Sequence, residues 1–230
     1  MKHLKIKNLI NYYFPSKKLS IFDCGCHKGL FLKKIGISKL KFGFLIDPID
    51  YNIIDKLKLK NFKFYPTLLG SDKKNRIFKI FSEKYPEWSS VNNLGSKSIY
   101  KKRYSKFLNQ KIIKKKILQT TIDHILKDSK KKIDILKIDC QSTTFDILKG
   151  AKYNLKKNNF NMLILAINSE EFYENKKDNF AKISIYLEKN GYDLINIANA
   201  HSGELGKLDY DFQNYKIWTF DAIFIKKKIS

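Results

Sequence analysis

The sequence predicts one doubly wound α/β domain, built on a mainly parallel sheet. Three observations predict it. Short apolar runs alternate with longer amphipathic segments from residue 19 onward, which is the pattern of βαβ units on a parallel sheet. The first run closes on FDCGCHKG, an acid and two glycines at a strand-to-helix turn. A length of 230 residues suits a single hydrophobic core, because longer chains split into domains.

In chain order, residues 1–18 form an N-terminal extension and Leu19–Asp23 the first strand. Lys28–Ile37 has helical spacing, Lys41–Asp47 is a buried-strand run ending in Asp and Pro, and Asp50–Lys60 is the next helix. Asn61–Leu69 reads as a third strand, with Arg76–Phe81 and Lys116–Thr120 as additional strands of alternating character. Between those two, residues 82–115 hold Pro86, Trp88, Ser89, Ser90 and the turn signal NNLG, and are expected to form a lid or insertion. Thr121–Lys127 is a short helix, Ile133–Asp139 a strand, Thr143–Lys157 a helix and Asn161–Ile167 a strand. Asp178–Asn190 is an amphipathic helix stopped by Gly191, and Tyr192–Ala198 and Ile217–Lys226 supply the last two strands.

The net charge of +24 is a field that attracts phosphate. Yet of the 46 basic residues only Arg76 and Arg103 are arginine, the side chain better suited to reading phosphates and bases. Lysine, Ile, Asn, Phe and Tyr are abundant and alanines number six, which points to base composition as the main source of the charge. A nucleic-acid partner is therefore the less favoured expectation, resting on the basic, aromatic-interleaved segment SIYKKRYSKFLNQKIIKKK. No apolar stretch approaches the roughly 20 residues of a membrane span. Lys5, Lys7 and Asn8 interrupt the N-terminal apolar residues, so a secretory signal is not expected and a cytoplasmic location is. Cys24, Cys26 and Cys140 are an odd number, which argues for reduced thiols. Although His27 stands beside two of them, the paired knuckles of structural zinc are missing, and no metal is expected.

The residues that carry chemistry cluster at strand ends. Asp23, Gly25, His27 and Gly29 form a tight turn into a helix N-terminus, where backbone can approach a nucleotide-like ligand. The glycines do not match G-x-G-x-x-G, which lowers the NAD reading. Asp47 ends the second strand, near the spacing at which doubly wound folds place an acid against ribose hydroxyls. Asp139 ends the strand expected beside the first, so it should face the same cleft.

These segments together resemble the FkbM family of O-methyltransferases. FDCGCHKG resembles its first motif, LIDP its acidic second motif, and TIDHIL with IDILKIDCQSTTFDILKGA its signature segment. FYENKKDNFAKISIYLEKNGYDL and WTFDAIFIKK continue the likeness, which runs from about residue 19 to 227. The resemblance implies a class I methyltransferase (Rossmann-like) fold with a doubly wound, mainly parallel seven-stranded sheet whose last strand is antiparallel. It also implies S-adenosyl-L-methionine as cofactor, and an acceptor hydroxyl on a glycan or small molecule. By position, Asp23, Gly25 and Gly29 would surround the methionine moiety, Asp47 the ribose, and Gly70 and Ser71 the adenine. Asp139 would stand at the junction of cofactor and acceptor as base or orienting group, with His27 and His201 as weaker choices.

The chain also departs from the family. Where relatives have Glu or Gln, then glycine, then a further acid, it has Gln141, Ser142 and Thr144. Many relatives carry a glutamate near the position of Ala166; here Glu170 and Glu171 follow a few residues on. Two other functions stay open on these residues: an RNA methyltransferase on the same fold, and a binding module that has lost catalysis.

Overall fold

The computed structural model describes residues 5–95, 105–108, 111–129, 131–169, 172–174, 178–202 and 217–227, without the side chains of 201, 202 and 218. Its strands are β1 (Leu19–Cys24), β2 (Leu40–Ile46), β3 (Phe62–Tyr65), β4 (Leu68–Leu69), β5 (Lys74–Ile80), β6 (Ile113–Thr120), β7 (Ile133–Ile138), β8 (Phe160–Asn168), β9 (Tyr192–Ser202) and β10 (Ile217–Lys226). Its helices are α1 (Ile6–Tyr13), α2 (Leu30–Ile35), α3 (Ile53–Lys56), α4 (Ile122–Ile125), α5 (Thr144–Lys149), α6 (Lys152–Lys156) and α7 (Phe180–Lys189).

Seven strands form one sheet in the order β3-β2-β1-β7-β8-β10-β9. All neighbours are parallel except β10, which runs antiparallel to both β8 and β9. The chain first steps outward from β1 to β3 and later restarts on the other side at β7, so strand order reverses between β1 and β7. That reversal opens a crevice at the carboxyl ends of the two strands, where doubly wound folds bind ligands.

Strand alternation divides the core. Phe22, Leu136, Leu163 and Phe224 point to the face covered by α4, α5, α6 and α7 through Ile122, Ile147, Leu155 and Leu187. Ile21, Ile135, Ile164 and Ile223 point to the other, covered by α1, α2 and α3 through Ile10, Leu32 and Ile53. Every residue of β1 is buried, as expected of a central strand covered on both faces. Among the described residues no helix is long and apolar enough to cross a membrane.

Four expectations are corrected. The expected strand Asn61–Leu69 is two strands in two sheets, because Pro66 has no N–H to give a ladder and the chain turns there, Thr67 N–H donating to Tyr65 O. The segments expected at Arg76–Phe81 and Lys116–Thr120 stand apart from the main sheet, in a three-stranded sheet ordered β4-β6-β5. Asp50–Lys60 yields only the short α3, since Asn52 and Lys58 adopt φ of +54° and +52° on either side of it. The helix expected over Thr143–Lys157 breaks into α5 and α6 at Gly150. A Cβ there would lie 2.0 Å from Gly70 O, so the second sheet's approach decides the break.

Candidate active site

After Cys24 the chain makes a tight turn, with Gly25, His27 and Gly29 at φ of +73°, +45° and +71°. A Cβ on Gly25 would lie 2.1 Å from Asp139 O. Glycine is therefore required for the turn after β1 to pack against the end of β7, which draws the two acidic motifs together. Gly29 caps α2 at its N-terminus and packs against Leu57.

Asp47 follows β2 and is buried, 8% exposed. Its Oδ2 accepts the His27 N–H and its Oδ1 the Ile49 N–H, both at 2.9 Å. Burial pushes its carboxyl up to about 6, against the pull of those two donors. Each oxygen retains a second lone pair, so the group can pin the turn and still accept a ligand hydroxyl.

Asp23 is fully buried. It lies beneath the cleft, 3.3 Å from the ammonium of Lys137, which is also 3.4 Å from Asp139. Burial raises the Asp23 carboxyl and Lys137 opposes it. For Lys137 burial pulls downward, but Asp23 and Asp139 outweigh it, so the ammonium remains charged. Asp139 itself is 45% exposed at its side chain and faces the cleft.

The cleft has a volume of about 630 Å³ and runs along the carboxyl edge of the sheet. That suits a nucleoside with an acceptor beside it. Of the residues expected at the site, Gly25, His27, Asp47 and Asp139 line it. Gly29, Gly70 and Ser71 are not in its wall: Gly70 donates its N–H to Thr120 O, and Ser71 N–H donates to Asp146 Oδ2. Leu68, Leu69, Pro48 and Ile49 stand in the wall instead. His27 lies edge-on to Tyr51 at 4.7 Å, and burial lowers its pKa. Only the backbone of His201 is described.

Part of the expected lid is ordered across this wall. Residues 79 and 90 form a β-bridge, Tyr85 stacks on Trp88 at 4.4 Å, and the buried Tyr173 hydroxyl donates to Trp88 O at 2.6 Å. Pro86, Glu87, Ser89, Ser90 and Val91 thereby line the cleft. Lys101, Lys102 and Arg103 lie outside the described residues, as do Glu170 and Glu171.

Residues 46–194, well over half of the chain, match the family model described as the methyltransferase FkbM domain. The chain belongs to this family. Among solved structures, the methyltransferase FkbM of Methylobacillus flagellatus KT is similar at 13% identity and a TM-score of 0.50, covering 90% of this chain and 43% of that one. The FkbM chain described here thus spans less than half the length of that relative, and the likeness is one of fold. M. capricolum TrmK, solved with S-adenosyl-homocysteine, is similar at 12% identity and a TM-score of 0.47, covering 98% of this chain and 70% of that one. A Streptococcus pneumoniae protein named as a tRNA (m1A22) methyltransferase, solved with S-adenosyl-L-methionine, is similar at 9% and 0.48, covering 99% and 75%. A comparison with curated proteins gave no match.

S-adenosylmethionine is the cofactor of the family's methyltransferases, and the walls of this FkbM domain fit it on two counts. Among the described residues Ser89 Oγ and His27 Nε2 are buried polar atoms with no hydrogen-bond partner, on residues that line the cleft, His27 Nε2 lying 3.9 Å from the Glu87 carboxylate, a state natural proteins rarely leave unanswered. Asp47 offers buried acceptor positions for paired hydroxyls. Among the described residues no group of three or more His, Cys, Asp and Glu suited to an ion occurs, and burial raises all three thiols.

The family departures take definite conformations. Gln141 and Ser142 adopt φ of +48° and +62°, so Ser142 takes the left-handed turn that a glycine would make more easily. Ser142 Oγ accepts from Asn168 Nδ2 at 3.1 Å, which helps hold it there. Sequence reasoning missed Lys137, Asn199 and Asp221, all in the cleft wall. For Lys137 and Asp221 the available signal was a charge inside an apolar strand run, in ILKI and TFDAIF; Asn199 carries no such signal.

Proposed function

We propose that this chain transfers a methyl group from S-adenosylmethionine to a hydroxyl of a saccharide or small metabolite. The observation that carries the reading is a single cleft holding the Gly25 turn and Asp47 toward one end and the half-exposed Asp139 beyond them. When bound, S-adenosylmethionine supplies a methyl on a sulfonium, which an acceptor oxygen displaces to leave a neutral thioether. Asp47 holds the ribose, and the Gly25 turn with His27 borders the methionine end. Asp23 acts from below by fixing Lys137, which orients Asp139. Asp139 takes the acceptor's hydroxyl proton as the oxygen attacks, the role of a positioned general base. Most of the acceleration then comes from holding oxygen and methyl in line.

The test is thermal shift and calorimetry with S-adenosylmethionine and S-adenosylhomocysteine, followed by labelled methyl transfer to glycan and RNA panels. Cofactor binding with label entering glycans or small hydroxylated acceptors is the expected result. Label entering RNA alone would replace the acceptor class. Binding without transfer to either panel would make the chain a binding module, and no binding at millimolar cofactor would overturn the reading.

A further inference from the structure

The cleft does not end at Asp139. Its wall continues over Ile164 on β8, Asp221 on β10 and Asn199 on β9, facing Ile10 and Ile35 from α1 and α2. In the strand order, β2, which Asp47 follows, and β10, which carries Asp221, lie on opposite sides of β7, which Asp139 follows. If the β1–β2 half holds the cofactor, the β8–β10–β9 half is where an acceptor can meet the methyl group.

This half carries a built polar feature in an apolar setting. Asp221 pairs across the ladder with Ala166, so its carboxylate stands over a small side chain. Asn199 adopts φ +50° and donates its Nδ2 to Asp221 Oδ2 at 2.6 Å. The register of β9 against β10 shifts between Thr219 and Asp221, an irregularity of the kind that re-aims side chains beside active sites. Asp221 Oδ1 has no hydrogen bond among the described residues, and burial raises the carboxyl's pKa, with Asp139 adding to the rise. One oxygen of the carboxylate is thus held by Asn199, and the other is left open on the cleft side, where a ligand hydroxyl can reach it.

We propose that Asp221, held by Asn199, binds the acceptor by accepting one of its hydroxyls while Asp139 faces another. The inference rests on the methyltransferase reading and adds the acceptor's position and anchor. The ligand class follows from the donor count: Asp139, Asp221 and the Asn199 carbonyl are acceptors, so a polyhydroxyl ligand matches them. Lys7, Lys33 and Lys34 line the mouth and favour a sugar that also bears an acid.

The test uses the full chain saturated with S-adenosylhomocysteine, so that nothing turns over, and saturation-transfer NMR titrations with D-glucuronate, D-glucose and D-mannose. At least one sugar should bind the parent, its affinity falling about tenfold or more in Asp221→Asn and several-fold in Asn199→Ala. Calorimetric affinity for S-adenosylhomocysteine should stay within about twofold of the parent in both variants. Should Asp221→Asn fail to fold, Asn199→Ala decides alone. Equal sugar binding by the variants overturns the inference, as does a parent that binds S-adenosylhomocysteine but none of the sugars. A parent that does not bind S-adenosylhomocysteine removes the methyltransferase reading first, and this inference with it.

Discussion

Replacing Lys137 by Met tests the electrostatic arrangement under the cleft. Methionine keeps most of the apolar stem, so the substitution chiefly removes the ammonium. Asp23 is then a fully buried carboxylate that has lost its ion-pair partner 3.3 Å away, with neither oxygen hydrogen-bonded among the described residues. Breaking a buried pair by deleting one partner costs about 3 to 5 kcal/mol, because the remaining charge is uncompensated. Asp23 can limit the loss by protonating, so its folded-state pKa climbs further above the unfolded value of about 4. A carboxyl raised in this way stabilises the fold while protonated, and that contribution is lost as pH rises toward the folded pKa. Urea denaturation of the variant should therefore show a loss of about 3 to 5 kcal/mol at pH 8 and a distinctly smaller one at pH 5.5. Adding Asp23→Asn should recover about half of the loss or more, since no charge is left stranded. A loss under about 1 kcal/mol at both pH values, or a double variant that loses the sum of the two singles, would refute the buried-pair account.

Asp139→Asn should keep the fold and the affinity for S-adenosylhomocysteine while lowering methyl transfer by about a hundredfold; unchanged turnover would move the base elsewhere. Asp47→Ala should weaken S-adenosylhomocysteine binding by about 1 to 3 kcal/mol in calorimetry. Because the Asp47 carboxyl titrates at about 6, the parent's affinity should fall as pH drops from 7 to 5, and an affinity flat across that range would remove Asp47 from the ribose. The same raised carboxyl makes folding less favourable as pH climbs from about 4 to about 6, the opposite sign from a salt-bridged aspartate. Gly25→Ala sets a Cβ 2.1 Å from Asp139 O at a φ of +73°, so it should cost about 3 kcal/mol or more in thermal or urea unfolding; a loss under about 1 kcal/mol would show that the turn can move away from β7.

The main sheet was legible because its strands are apolar runs set apart by amphipathic segments. β1, β2, β7, β8 and β10 all lie within a residue or so of their expected bounds. What failed was the partition of the remaining strands. β5 and β6 have the same β-rich composition as the main strands, and periodicity carries no information about which sheet a strand joins. Leu68 and Leu69 continue an apolar run begun at Phe62, yet Pro66 interrupts the ladder and sends them to β6. The break at Gly150 depends on contact with Gly70, eighty positions earlier in the chain, and local propensity cannot report such a contact.

The site divides along a similar line. Asp47 and Asp139 were legible because each ends a strand, where the architecture exposes side chains to the crevice. Lys137 and Asp221 sit inside apolar runs, one on a parallel strand and one on the antiparallel strand, and a charge there reads as an exception to a hydrophobic pattern. Yet such a charge is rarely buried without a partner. Each therefore required an opposing group from a neighbouring strand or helix before its placement could be understood. For Lys137 the group is Asp23, brought alongside by the β1–β7 register in which the two residues are Cα partners. For Asp221 it is Asn199, reached across the β9–β10 irregularity. Both pairings follow from strand adjacency, β1 beside β7 at the reversal that creates the cleft and β9 beside β10 at the sheet's edge. The residues hardest to read from sequence are thus those whose chemistry exists only once the sheet has assembled, which is why Lys137 and Asp221, rather than the strand-end acids, carry the sharper tests.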